Sequence, residues 1–148
     1  LHLKKGEQIT PKIIEDNIGI SKDFNVFELQ NALGIKDVLK SNQIIKHFSE
    51  NQKNHPFVLT LSSLFTFFQK VMIYQNLKDK SSKNAASALG VNPYFVSQFQ
   101  IASRNYPMKK LFKIFTYLKE YDLKSKGVNN ASTPEYELLK ELTFKILH

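Results

Sequence analysis

The chain has 148 residues, enough for one domain with a real core or for two small ones. It carries 21 Lys and Arg against 13 Asp and Glu, a net charge of +8, which admits a nucleic-acid or acidic-protein partner without requiring one. The absence of cysteine excludes disulfides and thiolate zinc sites and fits a reducing cytoplasm, and the four scattered histidines (His2, His47, His55, His148) point to no metal centre.

Residues 1–8, LHLKKGEQ, lack the apolar run of a secretory signal. The polar start without Met reads as a piece excised from a longer protein. The apolar spacing from there on is helical, with no run of strict alternation, and predicts an all-α protein. Thr10-Pro11 opens a first short helix carrying Ile13, Ile14 and Ile18: a capping side chain accepts a free backbone N–H, and proline removes one that would go unpaired. Asn25 with Glu28 opens a second, carrying Val26, Leu29 and Leu33 and closed by Gly34. A third, over about 36–51, carries Val38, Ile44, Ile45 and Phe48.

Pro56 opens a long helix over 56–77. Thirteen of its 22 residues are strongly apolar. Ser62, Ser63, Gln69, Lys70, Gln75 and Asn76 argue against a membrane span, and a helix apolar nearly all round belongs at the centre of a bundle. Phe65 and Phe68 are expected to be buried there. Helices over 82–89, 93–104, 107–126 and 134–147 follow, with Gly90 as a C-terminal cap and Asn92-Pro93, Pro107 and Thr133-Pro134 as starts. The 107–126 helix is the clearest amphipath. Met108, Leu111, Phe115 and Leu118 form its stripe, broadened by Phe112 and Ile114, while Lys109, Lys113, Glu120 and Lys124 lie away from it.

Composition shifts in the polar stretch SENQKNHP, residues 49–56. Residues 1–55 hold 8 Lys or Arg against 7 Asp or Glu, and residues 56–148 hold 13 against 6. The excess charge lies in the second part, and a boundary is expected near residue 54.

Residues 85–105 look like a helix-turn-helix, which raises a DNA-binding regulator as one reading. A recognition helix needs polar or basic side chains near its N-terminus to reach base edges. Here Tyr94, Phe95, Val96, Phe99 and Ile101 dominate, and the first basic residue is Arg104. The pattern favours packing on two fronts. No phosphate-binding GxxxxGK[ST] or GxGxxG run is present, and no Ser, His and Asp set has a recognisable signature. A non-catalytic binding or assembly module without a cofactor is expected.

The stretch LGVNPYFVSQFQIASRNYPMKKLFKIFTYLKEYDLKSKG carries Leu89, Gly90, Val91, Pro93, Tyr94, Phe95 and Val96, then Arg104 and Tyr106, then Asp122, Lys124, Ser125, Lys126 and Gly127. In that order it resembles the C-terminal domain of the delta subunit of bacterial DNA polymerase III, of the clamp-loader family. ELLKELTFKIL, 137–147, resembles the last helix of that family, and residues 9–34 resemble the helical lid that follows its nucleotide-binding-like domain.

The resemblance implies a small three-helix AAA+ lid-like domain at 1–54, followed by a helical collar bundle at 55–148. It implies a non-catalytic role in DNA replication, although the parent can inherit a polymerase or transferase label. Clamp opening would lie in an N-terminal AAA+-like domain outside this chain. The implied partners are the ATPase subunits of gamma/tau type and delta-prime, with the sliding clamp and primed DNA reached through the whole complex, in a bacterial cytoplasm at the nucleoid. Tyr94, Phe95, Phe99, Arg104 and Tyr106 are the candidate subunit interface, with bundle core as the alternative. Lys109, Lys110 and Lys113 are candidates for DNA phosphates or an acidic neighbour, with plain solvation as theirs.

Overall fold

The computed structural model describes residues 24–130 and 132–148. The expected helix with Thr10-Pro11, Ile13, Ile14 and Ile18 lies outside the described residues. Those described form seven α-helices and no strand: α1 Val26–Gly34, α2 Val38–Glu50, α3 Phe57–Asn76, α4 Ser82–Leu89, α5 Val96–Asn105, α6 Met108–Ser125 and α7 Glu135–Leu147. A 3-10 turn, Pro93–Phe95, leads into α5. The all-α expectation holds.

Side chains cap the starts of α1 and α2, while α3, α6 and α7 begin after a proline without a side-chain cap. The Asn25 Oδ1 accepts from Phe27 N at 2.9 Å and Glu28 N at 3.0 Å, so the start of α1 leaves fewer orphan donors. The left-handed residue after α1 is Lys36, φ 56°, not Gly34. Lys36 N donates to Leu33 O and Asp37 N to Ala32 O, the two bonds of a Schellman end. Asp37 then caps α2 by accepting from Lys40 N at 3.0 Å. Gly34 is instead the buried last residue of α1, where an added Cβ would meet Phe67 Cζ at 3.2 Å and Ala102 Cβ at 3.4 Å. It lets α1 approach α3 and α5 closely. Gly90 does fill the expected role, at φ 67° with its N–H and that of Val91 closing onto Ser87 and Ala86.

Helix α3 is central and packs on α1, α4, α5, α6 and α7. It is long and apolar enough to cross a membrane by length and composition. Phe57, Leu61, Leu64, Phe67, Phe68, Val71 and Tyr74 are all buried against these neighbours. Phe65, expected inside, is 46 % exposed and sets its ring edge-on to Phe115 at 5.6 Å. In α6 the buried stripe is Leu111, Ile114, Leu118 and Tyr121. It is rotated from the expected one, so Phe112 stands 61 % exposed. One buried cluster contains Leu29, Leu33, Ile44 and Phe48 together with side chains from α3 to α7, so residues on both sides of position 54 share a core. Residues 51–55 form a turn across which His55 stacks on Phe48 at 4.1 Å.

Candidate functional site

Helix α1 carries two apolar faces. Leu29, Ala32 and Leu33 face the core. Phe27 and Ile35, two turns apart with Asn31 between them, face outward. Helix α5 lies beside α1 and is similarly divided. Val96, Phe99 and Ala102 are buried, with the Phe99 ring 5.4 Å from Phe67. Ser97, Gln100, Ile101 and Arg104 are exposed. The turn before α5 is fixed by Asn92, whose Oδ1 accepts from Tyr94 N at 2.9 Å. Proline at the next position suits that geometry. Tyr94 is thereby held outward, its ring edge-on to Phe95 at 5.4 Å.

The result is an open groove of about 790 Å³ between α1 and the segment from Val91 to Ile101, with Ala32, Phe95 and Phe99 among its lining residues. Phe27, Ile35, Tyr94 and Ile101 also line it and are 48, 45, 64 and 41 % exposed. Glu28, Asp37, Lys40 and Lys70 add charges of both signs. Exposed large apolar side chains are thus concentrated on one face.

The expected interface residues separate. Tyr94 and Arg104 are exposed and Phe95 is half-buried. Phe99 and Tyr106 belong to the chain's own core, which is the bundle-core alternative for these two. Tyr106 is fully buried, and its ring meets Phe68 edge-on at 5.3 Å. Its hydroxyl donates to Leu33 O at 2.5 Å, and burial pushes its pKa well above the usual phenol range. Asn105 Nδ2 donates to Gly34 O at 2.8 Å, and Gln75 Nε2 donates to the carbonyls of Ser103 and Tyr106. These bonds tie the C-terminal ends of α1 and α3 to the junction of α5 and α6. Phe27 and Ile35 escaped the sequence reading, although their signal was present in the doubly apolar VFELQNALGI, and Ile101 was singled out there for packing but not for the interface.

The candidate lysines lie at the start of α6. Lys109 and Lys113 are exposed, and Lys110 is half-buried and donates to Lys145 O at 2.7 Å. The ammonium of Lys110 is held below the usual lysine range by partial desolvation, then by the charges of Lys36 and Lys113. Lys145 is held above that range by the Tyr121 hydroxyl and, further, by the Glu120 carboxylate. Among the described residues, no group of three or more His, Asp or Glu side chains is placed to hold a metal.

The family model for the DNA polymerase III delta subunit, C-terminal domain, matches residues 23–140, from the residue before Phe24 into α7. Comparisons with curated proteins and with solved structures give no match. The match takes in both walls of the groove and most of the chain, and the chain belongs to the family formed by the C-terminal domain of the DNA polymerase III delta subunit.

Proposed function

We propose that this chain is a non-catalytic assembly module of a bacterial clamp loader, acting in DNA replication. Family membership supports a delta-type role. The observation that carries the assembly reading is the groove of Phe27, Ile35, Tyr94 and Ile101, left open beside a well-filled core. Interface centres favour such aromatic anchors, and the buried Phe99 ties α5 to Phe67 of α3 behind them. The partners we assign are the ATPase gamma/tau-type subunits and delta-prime, with Tyr94, Phe95 and Arg104 at the contact. The sliding clamp and primed DNA are engaged by the complete loader, in the cytoplasm at the nucleoid.

We place the start of the collar unit near residue 24. The shared core across position 54 and a family match beginning at residue 23 both favour that start over one at 55. Co-elution tests the function. The chain mixed with the ATPase and delta-prime subunits of the same loader forms one complex, and a chain that those subunits never retain contradicts the proposal.

A further inference from the structure

Helix α3 keeps one face outside the core. Val58, Ser62, Phe65, Thr66, Gln69 and Ile73, at helical spacing, are all exposed, with Leu59 beside Val58. The groove does not use this face: of the α3 side chains, only Lys70 lines it. Lys70 is also the only charged residue of α3 and is half-buried, so the exposed strip carries no charge. Elsewhere, exposed Lys46, Lys83, Arg104, Lys109 and Lys140 put charge on the outer faces of α2, α4, α5, α6 and α7. At the middle of the strip the Phe65 ring is steadied by Phe115 of α6, edge-on at 5.6 Å.

About a point midway between Phe65 and Thr66, apolar Val58 mirrors apolar Ile73 and polar Ser62 mirrors polar Gln69. Two copies of α3 laid antiparallel about a two-fold axis at that point set Val58 against Ile73 and the Ser62 hydroxyl against the Gln69 amide, each twice, with the two Phe65 rings at the centre. A contact between identical surfaces requires a patch that complements itself. It also requires a patch free of net charge, because each chain carries +8. A partner of another sequence needs neither property.

We propose that α3 pairs antiparallel with α3 of a second copy of this chain, through the face from Val58 to Ile73. The pairing goes beyond the assembly reading and uses a surface outside the groove. A bilayer would leave Ser62, Thr66 and Gln69 without hydrogen-bond partners, whereas a second copy offers them. The helix from Val58 to Ile73 spans about 24 Å at a width of about 10 Å. A strip of that size places the contact in the small, transient class of interfaces.

The chain has no cysteine, so single introduced cysteines report the register without background. Thr66→Cys lies at the axis and forms a disulfide-linked dimer on mild oxidation. Val58→Cys does not, because its two copies lie about 22 Å apart along the pair; mixed with Ile73→Cys, it cross-links. Analytical ultracentrifugation of the wild-type chain at rising concentration shows a monomer–dimer equilibrium that tightens with salt, since screening relieves the repulsion between two +8 chains. Ser62→Glu/Gln69→Glu sets like charges against each other and weakens the dimer at least about tenfold, whereas Ser62→Glu/Gln69→Lys sets opposite charges together and keeps it. All changed side chains are exposed, and circular dichroism verifies the fold. A wild-type chain that stays monomeric at every concentration overturns the proposal and leaves the assembly reading untouched. A Val58→Cys chain that cross-links alone as fast as Thr66→Cys also overturns it. Flotation of a monomeric chain with phosphatidylcholine vesicles assigns the strip to lipid and overturns it as well.

Discussion

The Tyr106 hydroxyl donates to the Leu33 carbonyl at 2.5 Å, across 73 positions of sequence. It satisfies a buried acceptor at the C-terminal end of α1, where intrahelical donors run out. Tyr106→Phe keeps the ring against Phe68 and leaves that carbonyl with the Lys36 N–H as its donor. The expected loss is about 0.5–1.5 kcal/mol in urea denaturation. An unchanged midpoint would mean that the bond contributes nothing net.

Phe65 and Phe68 share α3 and differ in burial. Phe68 is fully buried and Phe65 is 46 % exposed. Phe68→Ala is expected to cost about 3–5 kcal/mol through lost burial and a residual cavity. Phe65→Ala, measured in the same denaturation series, is expected to cost less than half as much. Equal losses would contradict the orientation of α3.

The contrast between these two rings shows what periodicity can and cannot resolve. Helix starts at Pro56, Pro107 and Pro134 and the stop at Gly90 were legible because local chemistry sets them. The buried face of α3 was not, because apolar residues occupy nearly every side of it and only its neighbours choose among them. Helix α6 shows the same limit: its stripe includes Tyr121 and omits Phe112. Gly34 looked like a cap because it follows an apolar stretch, yet its role is close approach to Phe67. The groove was half legible. Tyr94 stood out as an aromatic in excess, whereas Phe27 and Ile35 meet Ile101 only in three dimensions.

Gly90→Ala meets no atom within 4 Å, so any cost comes from the backbone at φ 67°. The left-handed conformation disfavours a Cβ by about 1–2 kcal/mol. The variant is expected to melt a few degrees lower with unchanged helical content. A gain in melting temperature would show that the turn adopts another conformation in solution.

The pKa of His55 is lowered, first by burial and then by the charge of His47, whose ring is 5.5 Å away. The folded chain therefore binds this proton less readily than the unfolded chain does. The stabilising contribution is complete above the unfolded value of 6.5 and is lost as pH falls from there through the lowered folded value. Melting temperature is expected to drop between pH 7.5 and pH 5, with a shallower drop for His55→Gln. A melting temperature that rises over this acid range would reverse the sign of the coupling.

Phe27→Ala/Tyr94→Ala removes two exposed rings from the groove. Alanine replacement of interface anchors costs about 2 kcal/mol or more of binding energy. The variant is expected to keep the wild-type denaturation midpoint to within about 1 kcal/mol and to lose affinity for the loader subunits. A large stability loss with intact affinity would make these rings structural.

Amide hydrogen exchange tests the assembly claim most directly, with the chain measured alone and then mixed with the ATPase and delta-prime subunits. Protection is expected to appear across residues 27–35 and 94–101, the two walls of the groove, on mixing. Unchanged exchange in both segments within a complex that demonstrably forms would contradict the account.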